Sequence, residues 1–199
     1  MFDIPLIIQT YGLIGINIIV ILESSVFPIL PGDSLLFTAG FLASQNLLPI
    51  TLLFVSITVS AILGNFLSYA LGRRYGVSIF SKPDSFFLNP DYIEKTRLFF
   101  QKHGPKSIVL ARFVPIVRTF IPIFAGVGKM PFKTFAIYNI VGAFIWTSSL
   151  VYGGYYISRF IPNAESHIHE IVLIILFVSF LPGIIGFTKA RLNKYKAGK

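Results

Sequence analysis

From Ser34 to Gly72 the chain carries no charged residue. A helix crosses a ~30 Å hydrocarbon core with about 20 residues, so this run is too long for one span and has to fold back. Asn46 and Pro49 divide it into a short apolar piece (34–44) and a full span (about 50–72). The rest of the composition fits a chain made for lipid. Hydrophobic residues reach 54% and charged residues only 13%, against about 25% charged in soluble domains, and the mean hydropathy is +0.76. A length of 199 residues fits one membrane domain, 1–199, rather than two.

Three more apolar runs are long enough to span: 4–22, 134–158 and 171–188. The first follows a terminus with Asp3 and no Lys or Arg, unlike the basic start of a secretory signal, so this helix is expected to be retained. Two further apolar segments are interrupted. Residues 23–44 contain Pro28, Pro31 and Gly32, and residues 107–128 contain Pro115 and Pro122; such residues interrupt a helix. Between 73 and 106 lies a polar region, which reads as a cytoplasmic surface segment with an amphipathic helix starting at Asn89-Pro90-Asp91.

The net charge of +9 would suggest nucleic acid in a soluble protein. Here the basic residues flank apolar runs, so they orient the chain and no nucleic-acid partner is expected. The region 73–106, the turn 129–133 and the tail 189–199 are basic, the tail with Lys189, Arg191, Lys194, Lys196 and Lys199 and no acid. These are expected in the cytoplasm, with the loops 44–49 and 159–170 outside. The segments 23–44 and 107–128 would then dip in from opposite faces as re-entrant segments. An echo supports this arrangement: Pro28 precedes Ala39-Gly40 much as Pro115 precedes Ala125-Gly126, which suggests an inverted repeat. The expected fold is an all-α membrane bundle with two opposed broken segments.

Four charges fall within the interrupted segments: Glu23, Asp33, Arg112 and Arg118. Each costs at least ~2.5 kcal/mol at membrane depth, and irregular backbone there survives only when buried in protein or lining a cavity. They could be interfacial, or form static ion pairs. As a working site, the carboxylates Glu23 and Asp33 could accept protons at low dielectric, while Arg112 and Arg118 could grip a phosphate bidentately. Arg112 and Arg118 are six residues apart and would not share a face of one straight helix, so the break at Pro115 is needed to turn both inward. Trp146, Tyr152, Tyr155 and Tyr156 read as packing or interfacial aromatics. His103, His167 and His169 all lie in polar loops, and no nucleophile–base pair or metal-ligand set lies within the spans. Neither an enzyme nor a metal or other cofactor is expected. With no cysteine, disulfides and thiol chemistry are excluded.

Glu23, then Phe27-Pro28, Pro31-Gly32-Asp33 and Ala39-Gly40, resembles the first signature of the DedA family, also called SNARE-associated or VTT-domain membrane proteins. Gly64, Tyr69, Gly72-Arg73 and Gly76 resemble the second. The third is the most specific: His103-Gly104, Arg112-Phe113, Pro115, Arg118-Thr119, Pro122, Ala125-Gly126 and Met130, with Phe135, Tyr138-Asn139, Gly142 and Trp146 after it. Asn65 departs from the pattern, since the family often has Asp after that glycine. The resemblance implies opposed re-entrant segments and transport or scrambling of lipids. In bacteria this means the return of undecaprenyl phosphate across the inner membrane, in some members tied to the proton-motive force. Matched by position, the important acids are Glu23 and Asp33 and the important arginines Arg112 and Arg118. The expected function is translocation of an anionic, phosphate-bearing lipid in the bacterial inner membrane. The alternatives are a proton-dependent small-ion or drug transporter, and an envelope-homeostasis factor that transports nothing. The oligomeric state and the coupling ion cannot be read from the sequence.

Overall fold

The computed structural model describes residues 4–25, 32–79 and 104–160, together with the single positions 100, 170, 173 and 174. The expected breaks at Pro28 and Pro31, the span 171–188, the tail 189–199 and most of the polar region 73–106 lie outside them. The described residues form six helices: α1 (Ile4–Ser25), α2 (Gly32–Ser44), α3 (Ile50–Ile79), α4 (Ser107–Ala111), α5 (Pro115–Val127) and α6 (Phe132–Phe160).

The helix ends follow from local chemistry. Gly12 kinks α1 with φ 54° and ψ −152°, a conformation open to a residue without Cβ. At the end of α2, Asn46 turns left-handed (φ 60°), and Leu47 N–H returns to Leu42 C=O (3.3 Å) while Asn46 N–H returns to Ala43 C=O (3.2 Å). That pattern closes a helix on its own last carbonyls. The end of α5 repeats it: Lys129 has φ 53°, Met130 N–H bonds Ala125 C=O and Lys129 N–H bonds Gly126 C=O, both at 3.0 Å. A proline follows each cap, Pro49 and Pro131, and its carbonyl accepts from Leu53 or Phe135 at the start of the next long helix, again at 3.0 Å in both.

Contacts fix the directions. Along α1, Asn17 meets Ser60 and Ser25 meets Ser68, so α1 runs parallel to α3. Along α6, Phe132 meets Phe66 whereas Tyr152 meets Phe54, so α6 runs antiparallel to α3. The α2 helix packs parallel to α6, with Asp33 beside Trp146 and Ser44 beside Ser158. It follows that α1 and α2 form a hairpin whose arms lie on α3 and α6. The α4–α5 pair is a second hairpin, with α5 against α3 and α4 against α6. The two hairpins point at each other.

Three of these helix pairs approach closely enough to need glycine: α1 and α3 at Gly64, where a Cβ would meet Ile21 C=O and the Ser24 side chain, and two more through reciprocal contacts. A Cβ on Gly40 would strike the backbone of Val151, and one on Gly154 that of Phe37; equivalently, Gly72 faces Ile123 and Gly126 faces Tyr69. Small residues let helix backbones touch where water gives no hydrophobic drive. The apolar interior is correspondingly split. One cluster, including Ile16, Leu36, Phe41, Leu53, Ile57 and Val151, surrounds the first hairpin. A smaller one, with Tyr69, Ile108, Ile121, Ala125 and Phe135, surrounds the second.

Among the described residues, α3 and α6 are long and apolar enough to cross a membrane, over Ile50–Tyr75 and Phe132–Ser158. Their outward faces carry half-exposed Leu52, Val55, Val59, Leu63 and Leu67 on α3 and Ile137, Ile140, Val141 and Phe144 on α6. Contiguous apolar surface of this kind suits lipid and not water. Several expected boundaries shift. The first helix runs through Glu23 to Ser25, so this acid sits on a helix and not in the break. The segment 107–128 divides at Arg112–Val114, with Pro115 at the first position of α5, where its missing N–H costs nothing. Pro122 does not break the segment; α5 continues through it. A proline eight residues into a helix removes one N–H bond, here the one to Arg118 C=O, and packing on α3 holds the rest.

Candidate functional site

Glu23 lies near the C-terminus of α1, Asp33 in the first turn of α2, and Arg118 in the first turn of α5. The opposed hairpins bring these three together between the two apolar clusters. Arg118 Nη2 pairs with Glu23 Oε1 and Arg118 Nη1 with Asp33 Oδ1. Both acids therefore share one arginine. The Glu23 side chain is 2% exposed and that of Arg118 10%, while Asp33 is 17% exposed, so Asp33 is the member nearest an opening.

The pairing works against local electrostatics. A helix C-terminus disfavours an anion and an N-terminus disfavours a cation. Glu23 and Arg118 occupy those unfavourable ends, and Asp33 alone sits at the favourable one. Only mutual pairing makes the first two tolerable, because a buried charge without a partner costs several kcal/mol. Gly32 has a packing reason beyond breaking the helix: a Cβ there would overlap the Glu23 carboxylate.

Arg112, at the end of α4, is 4% exposed and has different neighbours. Its Nη2 donates to Asn139 Oδ1 at 2.6 Å. The Asn65 amide lies 2.9 Å from Asn139 Oδ1; turned as the Arg112 and Ser24 groups require, its oxygen accepts from the same arginine nitrogen at 2.8 Å and its nitrogen donates to Ser24 C=O at 2.9 Å. Asn139 is held in turn by Ile62 C=O at 3.2 Å. Gly142 leaves room for the arginine, whose Cδ would lie 3.0 Å from a Cβ there.

Trp146 joins the two arginines. Its indole Nε1 donates to Asp33 Oδ1 at 3.2 Å. The Arg118 guanidinium lies 5.1 Å from its ring centroid and that of Arg112 6.0 Å, within range of a cation–π contact. Among the described residues, several buried polar atoms have no hydrogen-bond partner: Glu23 Oε2, Arg112 Nε, and the hydroxyls of Ser34, Thr38, Thr119 and Thr147. Ser34, Thr119 and Thr147 follow directly on Asp33, Arg118 and Trp146 in sequence.

The structure thus joins Glu23, Asp33 and Arg118 in direct contact and brings both arginines to one tryptophan ring. Trp146, Asn65 and Asn139 were not expected as site residues. Trp146 read as a packing aromatic. The two asparagines each stand alone within the uncharged stretch of a long helix, and that isolation was the available signal.

These features define a helical membrane protein with two opposed hairpins closing on a buried ion cluster. The chain belongs to the DedA family: residues 30–156 match the VTT domain. It is 43% identical over 176 residues to the protein DedA of Escherichia coli K12, an overlap of 87% of this chain and 80% of that protein. An uncharacterized membrane protein of Mycobacterium leprae is 40% identical, over 84% of this chain and 76% of its own. The inner membrane protein YghB of Escherichia coli K12 is 30% identical, over 83% and 77%. No solved structure matches the chain.

Proposed function

We propose that this protein moves a phosphate-bearing lipid across the bacterial inner membrane, with undecaprenyl phosphate the leading candidate. Arg112 and Arg118 would bind the phosphate, and Glu23 and Asp33 would couple that binding to protons. The observation that carries this reading is Arg118, held at a helix N-terminus by two acids from the opposite hairpin. The first turns of α2 and α5 converge there. Each leaves backbone N–H groups without intrahelical partners and directs the positive end of its dipole inward. Transporters built on broken helices receive anionic groups at such ends. A phosphate arriving at Arg118 replaces the carboxylates, which then take up protons in place of the guanidinium.

The accompanying topology is one of two re-entrant hairpins entering from opposite faces and related by an inverted repeat. Its support is the recurrence of one sequence of events: a helix of 13 residues in both halves, a left-handed cap, a proline, a long helix, and a glycine seam. In this topology the basic tail lies in the cytoplasm, and a reporter active only outside it should stay silent when fused after Lys199.

The decisive experiment uses purified full-length protein in liposomes carrying a fluorescent isoprenyl phosphate. Movement of the lipid between leaflets, lost on Arg118→Lys, is the expected result. Proton or ion flux without lipid movement would replace this reading with a small-ion or drug transporter. Neither activity would leave an envelope factor that transports nothing.

A further inference from the structure

We infer that the two arginines act in sequence: Arg112 captures the phosphate, and Arg118 receives it only after Glu23 and Asp33 release their hold. This rests on the phosphate reading above and adds the order of events and the residue, Asn65, that sets it.

The two guanidinium groups differ in what an anion must displace. Both terminal nitrogens of Arg118 already carry carboxylates. Among the described residues, Arg112 has hydrogen bonds only to neutral acceptors: the Asn139 and Asn65 amide oxygens, and the Ala61 carbonyl at the limit of bonding distance, 3.5 Å. Its Nε is buried and has no hydrogen-bond partner among the described residues. Dipoles compensate a buried cation far less well than a carboxylate does, and a bond with charge on both partners is about twice as strong as a neutral one. A phosphate therefore gains at Arg112 without evicting an acid, whereas at Arg118 it has to compete with two.

The geometry also provides for a transfer. Both guanidinium groups lie within 6.0 Å of the same indole centroid, so the two cations share one ring. Trp146 itself holds Asp33, one of the two groups that must move. The hydroxyls of Thr119 and Thr147, without a partner among the described residues, follow Arg118 and Trp146 directly in sequence.

Asn65 decides the asymmetry. Its amide oxygen lies 2.8 Å from Arg112 Nη2. An aspartate there would place a carboxylate on Arg112 and make it a second occupied arginine like Arg118. Asn65 is thus a positioning residue that keeps the capture cation open.

The test measures binding to the purified full-length protein in detergent at one pH and ionic strength, with farnesyl phosphate as the probe. Arg112→Gln and the nearly isosteric Asn65→Asp are each expected to weaken binding on the order of tenfold or more, the effect of losing or occupying a charged donor. Arg118→Gln should weaken binding less than either of these and still stop lipid movement in vesicles, a split between capture and transfer that a purely structural role would not produce. Inorganic phosphate should compete with the probe in the wild type and not in Asn65→Asp, assigning capture to the phosphate and not to the isoprenyl chain; equal competition in both overturns the proposal. Should Arg112→Gln fail to fold, Asn65→Asp decides alone. If Arg118→Gln abolishes binding while Asn65→Asp retains it, the order is wrong and the phosphate reading stands. If the wild type binds neither form of phosphate, both fall.

Discussion

The two hairpins are built alike and charged oppositely. Each has an arm on α3 and an arm on α6, each ends in the same left-handed cap before a proline, and each has one seam of reciprocal glycine contacts. Yet Glu23 and Asp33 belong to the first, and Arg112 and Arg118 to the second. The lesson lies in how the charges are shared. Two acids on one hairpin could have taken one arginine each. Instead both converge on Arg118, and Arg112 is left among amides. A fold with two similar halves therefore holds an unequal centre.

The largest expected effect tests that inequality directly. Arg118→Met leaves the buried Glu23 and the partly buried Asp33 carboxylates without their cation, and removing one side of a buried pair costs about 3–5 kcal/mol. Arg112→Met strands only neutral amides, with a penalty of about 1–3 kcal/mol. The difference should appear in thermal unfolding of the detergent-solubilised protein. Adding Glu23→Gln and Asp33→Asn should restore most of the loss in Arg118→Met and none of that in Arg112→Met. Equal penalties, or rescue of both, would show that the centre is shared evenly.

A smaller effect tests the likeness of the halves. Gly40→Val and Gly126→Val each put a branched side chain against the backbone of a neighbouring helix. Overpacking of this kind costs about 1–3 kcal/mol. Matching losses of thermal stability would support equivalent seams. A large loss in one half and a small loss in the other would mean that the halves share a backbone pattern without sharing its packing.

Much of this was legible before any coordinates. Charges within apolar, broken segments are expensive enough to stand out, and that singled out Glu23, Asp33, Arg112 and Arg118. The echo of Ala39-Gly40 in Ala125-Gly126 pointed to a repeat, but the close helix contacts at those glycines depend on which helices meet and were not read from it. The pairing was not legible, since which acid meets which arginine depends on helix directions that no local pattern encodes. The run 4–22 has the length of a full span, and nothing in it shows a kink at Gly12 or a course parallel to α3. Pro122 carries a breaker's chemistry, and only its packed surroundings keep α5 continuous there. Asn65 and Asn139 are neutral, so their isolation in apolar helices was a weaker sign than charge.

The smallest expected effect lies at the far ends of the two seams, where the halves differ again. At one end the Ser44 and Ser158 hydroxyls bond each other. At the other, Arg73 Nη1 donates to Tyr69 Oη at 2.6 Å, Tyr69 Oη donates to Met130 C=O at 2.5 Å, and the Arg73 guanidinium lies 5.9 Å from the Tyr69 ring centroid. The second closure ties α3 to the turn after α5, exactly where a hairpin entering from that face would have to loosen. Tyr69→Phe keeps the ring and its 4.5 Å stack on Phe135 and removes only the hydroxyl, so two hydrogen bonds are lost together. A net worth of about 1 kcal/mol per bond gives roughly 1–2 kcal/mol. Ser44→Ala removes one neutral bond and should cost about 1 kcal/mol or less. If the site is reached alternately from the two faces, the two variants should bias it in opposite senses. A thiol probe that cannot cross the membrane, applied to single-cysteine variants at positions 130 and 48, would read this: Tyr69→Phe should raise labelling at 130 alone and Ser44→Ala at 48 alone. Rises at both positions in either variant would mean that the ends loosen together, and the hairpins would then be two walls of one rigid cage instead of two separate doors.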